Sequence, residues 1–198
     1  MKYIGSKLIE TPRLLLTPHK KEYQKRLWEI LMTKGVYDYY LSIPKKFKDG
    51  LLSWDKQEPF YMKKVDNALN NDIFDWCIIL KENNECIGKI DCHKIGEDES
   101  IRDVGWYIDP KYQGKGYASE AAKYMFDYMF YEVDINKIET GANINNPASW
   151  KIMEKYGFRR IGTRKVNYTF IDGESDIYCY EITKEEYINK GKKLWKSI

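Results

Sequence analysis

Histidine is nearly absent: only His19 and His93 occur among 198 residues, and the four cysteines, Cys77, Cys86, Cys92 and Cys179, form no Cys-x-x-Cys pair. Cys86, Cys92 and His93 have no finger-like spacing, so neither structural zinc nor any other metal is expected. Long hydrophobic runs are missing too. None approaches the ~18 apolar residues of a membrane span, and no apolar h-region follows Met1-Lys2-Tyr3. The chain therefore reads as cytoplasmic, with reduced thiols and no membrane partner. Charge of one sign is scarce, with 33 Lys and Arg against 30 Asp and Glu. Nucleic acid would need a concentrated basic surface. The densest clusters, Lys45-Lys46-Phe47-Lys48 and Lys190 to Lys196, are short and read as solvated faces, so nucleic acid is not an expected partner. Linkers, low-complexity tracts and repeats are absent, which points to a single domain over residues 1–198.

What is present is an ordinary globular balance, 43% hydrophobic, with 17 Tyr and 6 Trp to supply large buried area. Trp54, Trp76, Trp106 and Trp150 are expected as core or cleft walls. A strand is expected over Leu8 to Leu16. Thr17 and Pro18 are placed to start a helix carrying Leu27, Ile30 and Leu31 on one face. Short helical turns are expected within Gly35 to Pro59. A helix over Phe60 to Leu69 follows, with Tyr61, Val65, Ala68 and Leu69 on a shared face. The period then changes to that of strands at Phe74 to Leu80, Cys86 to Ile95 and Val104 to Ile108, joined by polar turns. A helix over Tyr117 to Tyr131, a strand over Lys137 to Ala142 and a helix over Pro147 to Tyr156 come next, the last ended by Gly157. Phe158 to Lys165 and Ser175 to Ile182 read as strands joined through Ile171-Asp172-Gly173-Glu174, and a final helix spans Thr183 to Trp195. This order describes an α/β chain with a mixed, mostly antiparallel sheet flanked by helices.

The most informative segment runs from Val104 to Ala121. A strand feeds a loop with Gly114 and Gly116, and the loop feeds a helix. Glycines permit positive φ and close approach to an anion, and the helix start adds free N–H groups and the positive dipole end. Together they suit a diphosphate. A P-loop would need Gly-Lys-Ser/Thr, but Gly116 and Tyr117 follow Lys115. A dinucleotide fingerprint would need a third glycine, but Ser119 stands there, and the preceding strand belongs to a meander.

Gln113-Gly114-Lys115-Gly116-Tyr117-Ala118 resembles the Gln/Arg-x-x-Gly-x-Gly/Ala motif of the GNAT acetyltransferase superfamily. Val104-Gly105-Trp106-Tyr107-Ile108-Asp109-Pro110 resembles that family's fourth strand. Asn146-Pro147-Ala148-Ser149 and Met153-Glu154-Lys155-Tyr156-Gly157-Phe158 resemble its later block. Glu10-Thr11-Pro12-Arg13-Leu14-Leu15-Leu16 is similar to the opening of the branch that acetylates ribosomal-protein N-termini. The resemblance implies a GNAT-like sheet whose central strands splay to admit the pantetheine arm of acetyl-CoA. Backbone groups near Trp106, Tyr107 and Ile108 would pair with that arm, residues Gln113, Gly114, Lys115, Gly116, Tyr117 and Ala118 would hold the pyrophosphate, and Asn146 would sit near the pantetheine.

The implied reaction is direct attack of an amine on the thioester of acetyl-CoA, with backbone donors on the opened strand stabilising the tetrahedral oxyanion. The acceptor is an amine of a protein N-terminus or a small molecule, and the charge count of the variable region does not choose between them. An alkylammonium must lose a proton first. Asp103 stands where similar enzymes often carry a Glu. Asp91 and His93, on one face of the preceding strand, and plain solvent are the alternatives. Ser149 is the candidate acid for the departing thiolate, and a simple first-turn role in the helix competes with it. A non-catalytic CoA-binding sensor or interaction module is the alternative to an enzyme, and assembly as a monomer or homodimer stays open. Direct attack makes none of the cysteines a nucleophile, so acetyl-CoA alone should leave the intact mass unchanged. An acetyl adduct on a cysteine that transfers to an added amine would establish a covalent route instead.

Overall fold

The computed structural model describes residues 1–39, 53–167 and 174–195. The expected first strand is a tight hairpin. Strand β1 (Ile9–Glu10) turns at Thr11, Pro12 and Arg13 into β2 (Leu14–Thr17), pairing Ile9 with Leu16. Proline has no N–H for a ladder, and the Thr11 hydroxyl oxygen accepts from Leu14 N at 2.8 Å, closing the turn. Helix α1 (Lys21–Leu31) begins later than Thr17 and Pro18 suggest. Thr17 stays in β2 opposite Cys77, and Lys20 holds the N-cap position without a side-chain bond. The stripe of Leu27, Ile30 and Leu31 is buried as its spacing predicts.

Helix α2 (Trp54–Asp66) starts before Phe60 and accommodates Pro59 inside it. It ends at Asp66, so Leu69 falls beyond the apolar face and is 82% exposed, whereas Tyr61 and Ala68 are buried. Of the turns expected between Gly35 and Pro59, a 3₁₀ turn at Tyr37–Tyr39 is seen, and residues 40–52 lie outside the described residues. So do Lys45 to Lys48 and, of the expected Ile171-Asp172-Gly173-Glu174 turn, all but Glu174.

Strands β3 (Asp75–Leu80), β4 (Glu85–Lys94) and β5 (Ile101–Ile108) form the expected meander. Helix α3 (Tyr117–Asp127) widens into a π-helical turn at Tyr128–Val133 rather than continuing as α-helix to Tyr131. Strand β6 (Lys137–Asn143), helix α4 (Pro147–Lys155), strands β7 (Arg159–Asn167) and β8 (Glu174–Thr183), and helix α5 (Lys184–Trp195) complete the chain. Gly157 ends α4 at φ 93°, the left-handed conformation glycine tolerates best.

The strands make one sheet in the order β1-β2-β3-β4-β5-β6-β8-β7, antiparallel except for the β5–β6 contact. Both faces of its centre are covered, which explains why β3 is apolar after Asp75 and why β3 and β4 are buried over most of their length. One face carries α3 and the C-terminal elements around Trp76, Phe126, Phe130 and Tyr180, all fully buried. The other carries α1 and α2 around Leu27, Ile30, Tyr61, Cys77, Ile79 and Tyr107. Phe126 is the hub of the first core, with ring contacts to Trp106, Tyr156, Phe158 and Tyr187 at 5.2–6.5 Å. Truncating Phe126 to Ala should cost about 3–5 kcal/mol of unfolding free energy. Urea titration measures it, and a loss under ~1 kcal/mol would contradict this packing.

Candidate active site

The site begins where the sheet comes apart. Strand β5 pairs with β4 from Arg102 to Ile108 but meets β6 only at Ile101–Lys137 and Arg102–Ile138. Beyond that point β6 follows β8 along its whole length, from Lys137 to Asn143. The Asp109 amide donates to the Ile87 carbonyl. By ladder alternation, the backbone edges of residues 104, 106 and 108 therefore face the gap and those of 105 and 107 face β4. Thr140 Oγ1 donates to the Val104 carbonyl at 3.2 Å and Gln113 Nε2 to the Ile108 carbonyl at 2.9 Å. Trp106 lies between them with its backbone edge toward the opening. Tyr107, grouped with Trp106 and Ile108 by the sequence, turns its backbone to β4, and its hydroxyl donates to the Leu27 carbonyl at 3.3 Å.

An open cleft of about 740 Å³ occupies the gap and brings together Asp103, Trp106, Gln113, Ala118, Asn146 and Ser149. Its far end is the glycine loop. Gly114 and Gly116 both adopt positive φ, 73° and 80°, and Gly116 is the N-cap of α3. Among the described residues the amides of Gly114, Lys115 and Gly116 meet no backbone or side-chain acceptor. Tyr117, Ala118 and Ser119 open the helix, where first-turn amides have no intrahelical partner. The Gln113 side chain bonds the end of β5 and so ties the loop to the strand. These unpaired amides, at a helix start beside a strand edge left open, fit the diphosphate of a CoA-type group.

Helix α4 borders the cleft. Asn146 is its N-cap but makes no side-chain cap bond, and Pro147 fills the first turn. The Ser149 amide donates to the Asn146 carbonyl at 3.1 Å, while its half-buried hydroxyl has no hydrogen bond among the described residues.

The cleft floor under α1 and α2 carries charge, an arrangement the sequence did not reveal. Asp75 on β3, Lys89, Asp91 and His93 on β4, and Asp103 on β5 stand on one face. Lys89 Nζ lies 3.1 Å from Asp75 Oδ1 and 2.7 Å from Asp91 Oδ1. Asp91 Oδ2 meets His93 Nδ1 at 2.9 Å, and His93 Nε2 lies 3.6 Å from Asp103 Oδ2. Lys64 from α2 adds a contact to Asp75 Oδ2 at 3.3 Å. Buried His19, steadied by Gln24 Oε1 at 3.1 Å, places Nε2 2.9 Å from Asp75 Oδ1, off the line of a good hydrogen bond. Gly105 leaves the room: a Cβ there would stand 3.2 Å from Asp91 Oδ1.

The titration of this ladder follows from its contacts. Burial alone would push the Asp75 and Asp91 carboxyls up. The neighbours outweigh it, Lys89, Lys64 and His19 for Asp75, and Lys89 and His93 for Asp91, so both sit below the usual carboxylate range. His93 is pushed up to about 10 by its bonds to Asp103 and Asp91, against the opposing effect of burial. Its two nitrogens both face carboxylates, so both donate and the ring is an imidazolium at neutral pH. Asp103 is the carboxylate here with the most accessible side chain, one-third exposed, and its Oδ1 accepts from the Val104 amide at 2.7 Å. Cys77, Cys86 and Cys92 are buried and Cys179 is half-buried; the neighbouring Cys86 and burial push the Cys77 thiol up, and burial pushes up that of Cys92.

Sequence reasoning also missed Arg13 as a site neighbour. Its guanidinium donates from Nη1 to the Lys115 carbonyl at 3.0 Å and from Nε to Glu120 at 2.6 Å. Nothing in the spacing of residues 13, 115 and 120 announces this, since only the folded hairpin brings β2 to the start of α3.

A family profile described as an acetyltransferase (GNAT) domain matches residues 13–159. An uncharacterized N-acetyltransferase of Bacillus subtilis, YnaD, is 31% identical over 182 residues, covering 90% of this chain and 98% of the relative. Two solved structures share the fold. The ribosomal-protein-S5-alanine acetyltransferase of Vibrio fischeri has a TM-score of 0.75 at 18% identity, covering 92% of this chain and 99% of its own. The spermidine N-acetyltransferase of Vibrio cholerae, solved with CoA and spermine, has a TM-score of 0.73 at 21% identity, covering 90% of this chain and 99% of its own. With the profile spanning most of the chain, the parted strands and the glycine cradle belong to an acetyl-CoA-dependent acetyltransferase of the GNAT family.

Proposed function

We propose that the chain acetylates an amine, of a protein N-terminus or of a small molecule, by direct attack within the cleft. The observation that carries this reading is the separation of β5 from β6 beyond Arg102, next to a loop whose Gly114 and Gly116 amides meet no acceptor among the described residues. The bound acyl-CoA supplies the activated carbonyl. Gln113 to Ala118 would hold its diphosphate, and the open edge of β5 at Trp106 and Ile108, with Asn146 and the cleft wall, would orient its arm.

Asp103 is the best-supported proton acceptor for the incoming ammonium. It lines the cleft, is partly exposed, and keeps Oδ2 only loosely engaged by His93. Asp91 is a poorer base because Lys89 and His93 occupy both of its oxygens. His93 already carries its proton up to about pH 10, so it serves to hold the two aspartates rather than to take a proton near neutrality. The mixture of carboxylates with Lys64, Lys89 and His93 leaves the floor charge-balanced, and it does not by itself select a polycationic acceptor.

Turnover of acetyl-CoA against a panel of N-terminal peptides, polyamines and aminoglycosides is the direct test. Acetylation of at least one amine is expected, and Asp103→Asn should lower kcat by roughly 10²–10⁴-fold on that substrate. CoA binding without turnover on any amine would favour a sensor instead, and an undiminished kcat in the variant would remove Asp103 from the proton path.

Ser149 is proposed as the proton donor to the departing thiolate. The competing structural role has little to do here, because Asn146 holds the N-cap position and no bond engages the Ser149 hydroxyl among the described residues. Ser149→Ala should therefore lower kcat more than it changes KM for acetyl-CoA, with less than ~0.5 kcal/mol change in stability. A melting point well below wild type with kcat intact would return the residue to a structural role.

A further inference from the structure

Arg13 lies 102 residues from Lys115 in sequence, yet its guanidinium rests against the cradle. The group is held on several sides. Nε donates to Glu120 Oε2 at 2.6 Å, and the ring of Tyr117 lies beneath, 4.5 Å from the guanidinium carbon. Glu120 is itself fixed, accepting from the Thr11 hydroxyl at 2.6 Å and the Arg13 amide at 2.9 Å. These donors and the Arg13 charge overcome the effect of burial and hold its carboxyl below the ordinary range. From this anchored position Nη1 reaches the Lys115 carbonyl at 3.0 Å.

That last bond acts on the cradle itself. A trans peptide points its carbonyl and its N–H in opposite directions. Turning the Lys115 carbonyl toward Arg13 therefore turns the Gly116 N–H away from Arg13 and Glu120, where it meets no protein acceptor among the described residues. Lys115 is flanked by Gly114 and Gly116, both at positive φ, so the intervening peptides have little local steric restraint against rotation. The guanidinium lies close over this peptide: a Cβ at residue 116 would be in contact with Arg13 Nη2, at 3.5 Å.

We propose that Arg13 is a positioning residue for the diphosphate cradle: clamped by Glu120, it fixes the Lys115–Gly116 peptide so that the Gly116 N–H is presented to the anion. This rests on reading the loop as a diphosphate site. Lysine could not substitute, because a point-like ammonium lacks the planar fork that serves a carboxylate and a carbonyl together.

Arg13→Met keeps an apolar stem over Tyr117 and removes every donor, and Arg13→Ala serves as the second variant. Both should raise the calorimetric Kd for CoA about tenfold, the loss of roughly one charge-assisted hydrogen bond's contribution. Affinity for pantetheine, which has no diphosphate, should stay at the wild-type value. The backbone NMR order parameter of the Gly116 amide in the unliganded protein should fall in both variants, because the peptide is no longer held. An unchanged order parameter at Gly116 would overturn the positioning role, and so would a parallel fall in pantetheine affinity, which would mean general distortion of the cleft. A wild-type chain that does not bind CoA would instead sink the cradle reading, a result distinct from wild-type affinity kept in both variants, which sinks Arg13 alone.

Discussion

Strand β6 cannot ladder with two neighbours along diverging paths, and the rest of the site depends on which one it follows. It touches β5 at two register positions and then commits to β8 for seven. The backbone edge of β5 that would otherwise be sealed is thereby exposed to a cleft, at a depth in the sheet where unpaired amides are normally costly. Gln113 and Thr140 meet part of that cost by bonding the carbonyls at Ile108 and Val104. The segment between them stays open to a ligand of extended shape.

The second consequence is electrostatic. The face of β3, β4 and β5 under α1 and α2 is partly apolar, around Cys77, Ile79 and Tyr107, and partly charged, from Asp75 through Lys89 and Asp91 to His93 and Asp103. Charges this far from water survive only in mutual pairing. Each carboxylate is matched to a cation, and the ladder runs from the buried His19 end outward to the half-exposed His93. The member with spare capacity is the one nearest the outer end, Asp103. Burial at one end and access at the other thus separate carboxylates that are chemically alike into enclosed and solvent-accessible positions.

The third consequence joins remote parts of the chain. The β1–β2 turn and the first turn of α3 meet through Thr11, Arg13 and Glu120. Serving both Glu120 and the Lys115 carbonyl, Arg13 couples the edge of the sheet to the geometry of the glycine loop. Behind that helix start, the Tyr156 hydroxyl donates to the Ser119 carbonyl at 2.8 Å and Lys155 Nζ to the Ser119 hydroxyl at 2.8 Å, so α4 braces α3 from the other side. The start of α3 is therefore held by contacts from the β1–β2 turn on one side and from Lys155 and Tyr156 on the other.

Local chemistry made much of this legible. Alternation and turn residues marked the meander from Asp75 to Ile108, and the pair of glycines ahead of an amphipathic helix marked the anion loop, because both signals depend on residues adjacent in sequence. Boundaries governed by one residue were misread in places. Thr11 and Pro12 split the first strand, the start of α1 moved past Pro18, and the end of α2 left Leu69 in solvent. The class of fold and the order of its elements were already legible along the chain. Where the sheet parts, which carboxylate of the ladder is most accessible, and the reach of Arg13 to Lys115 emerge only when the chain is folded. These depend on strand register and on contacts across about a hundred residues, and no periodicity or motif along the chain encodes such distances.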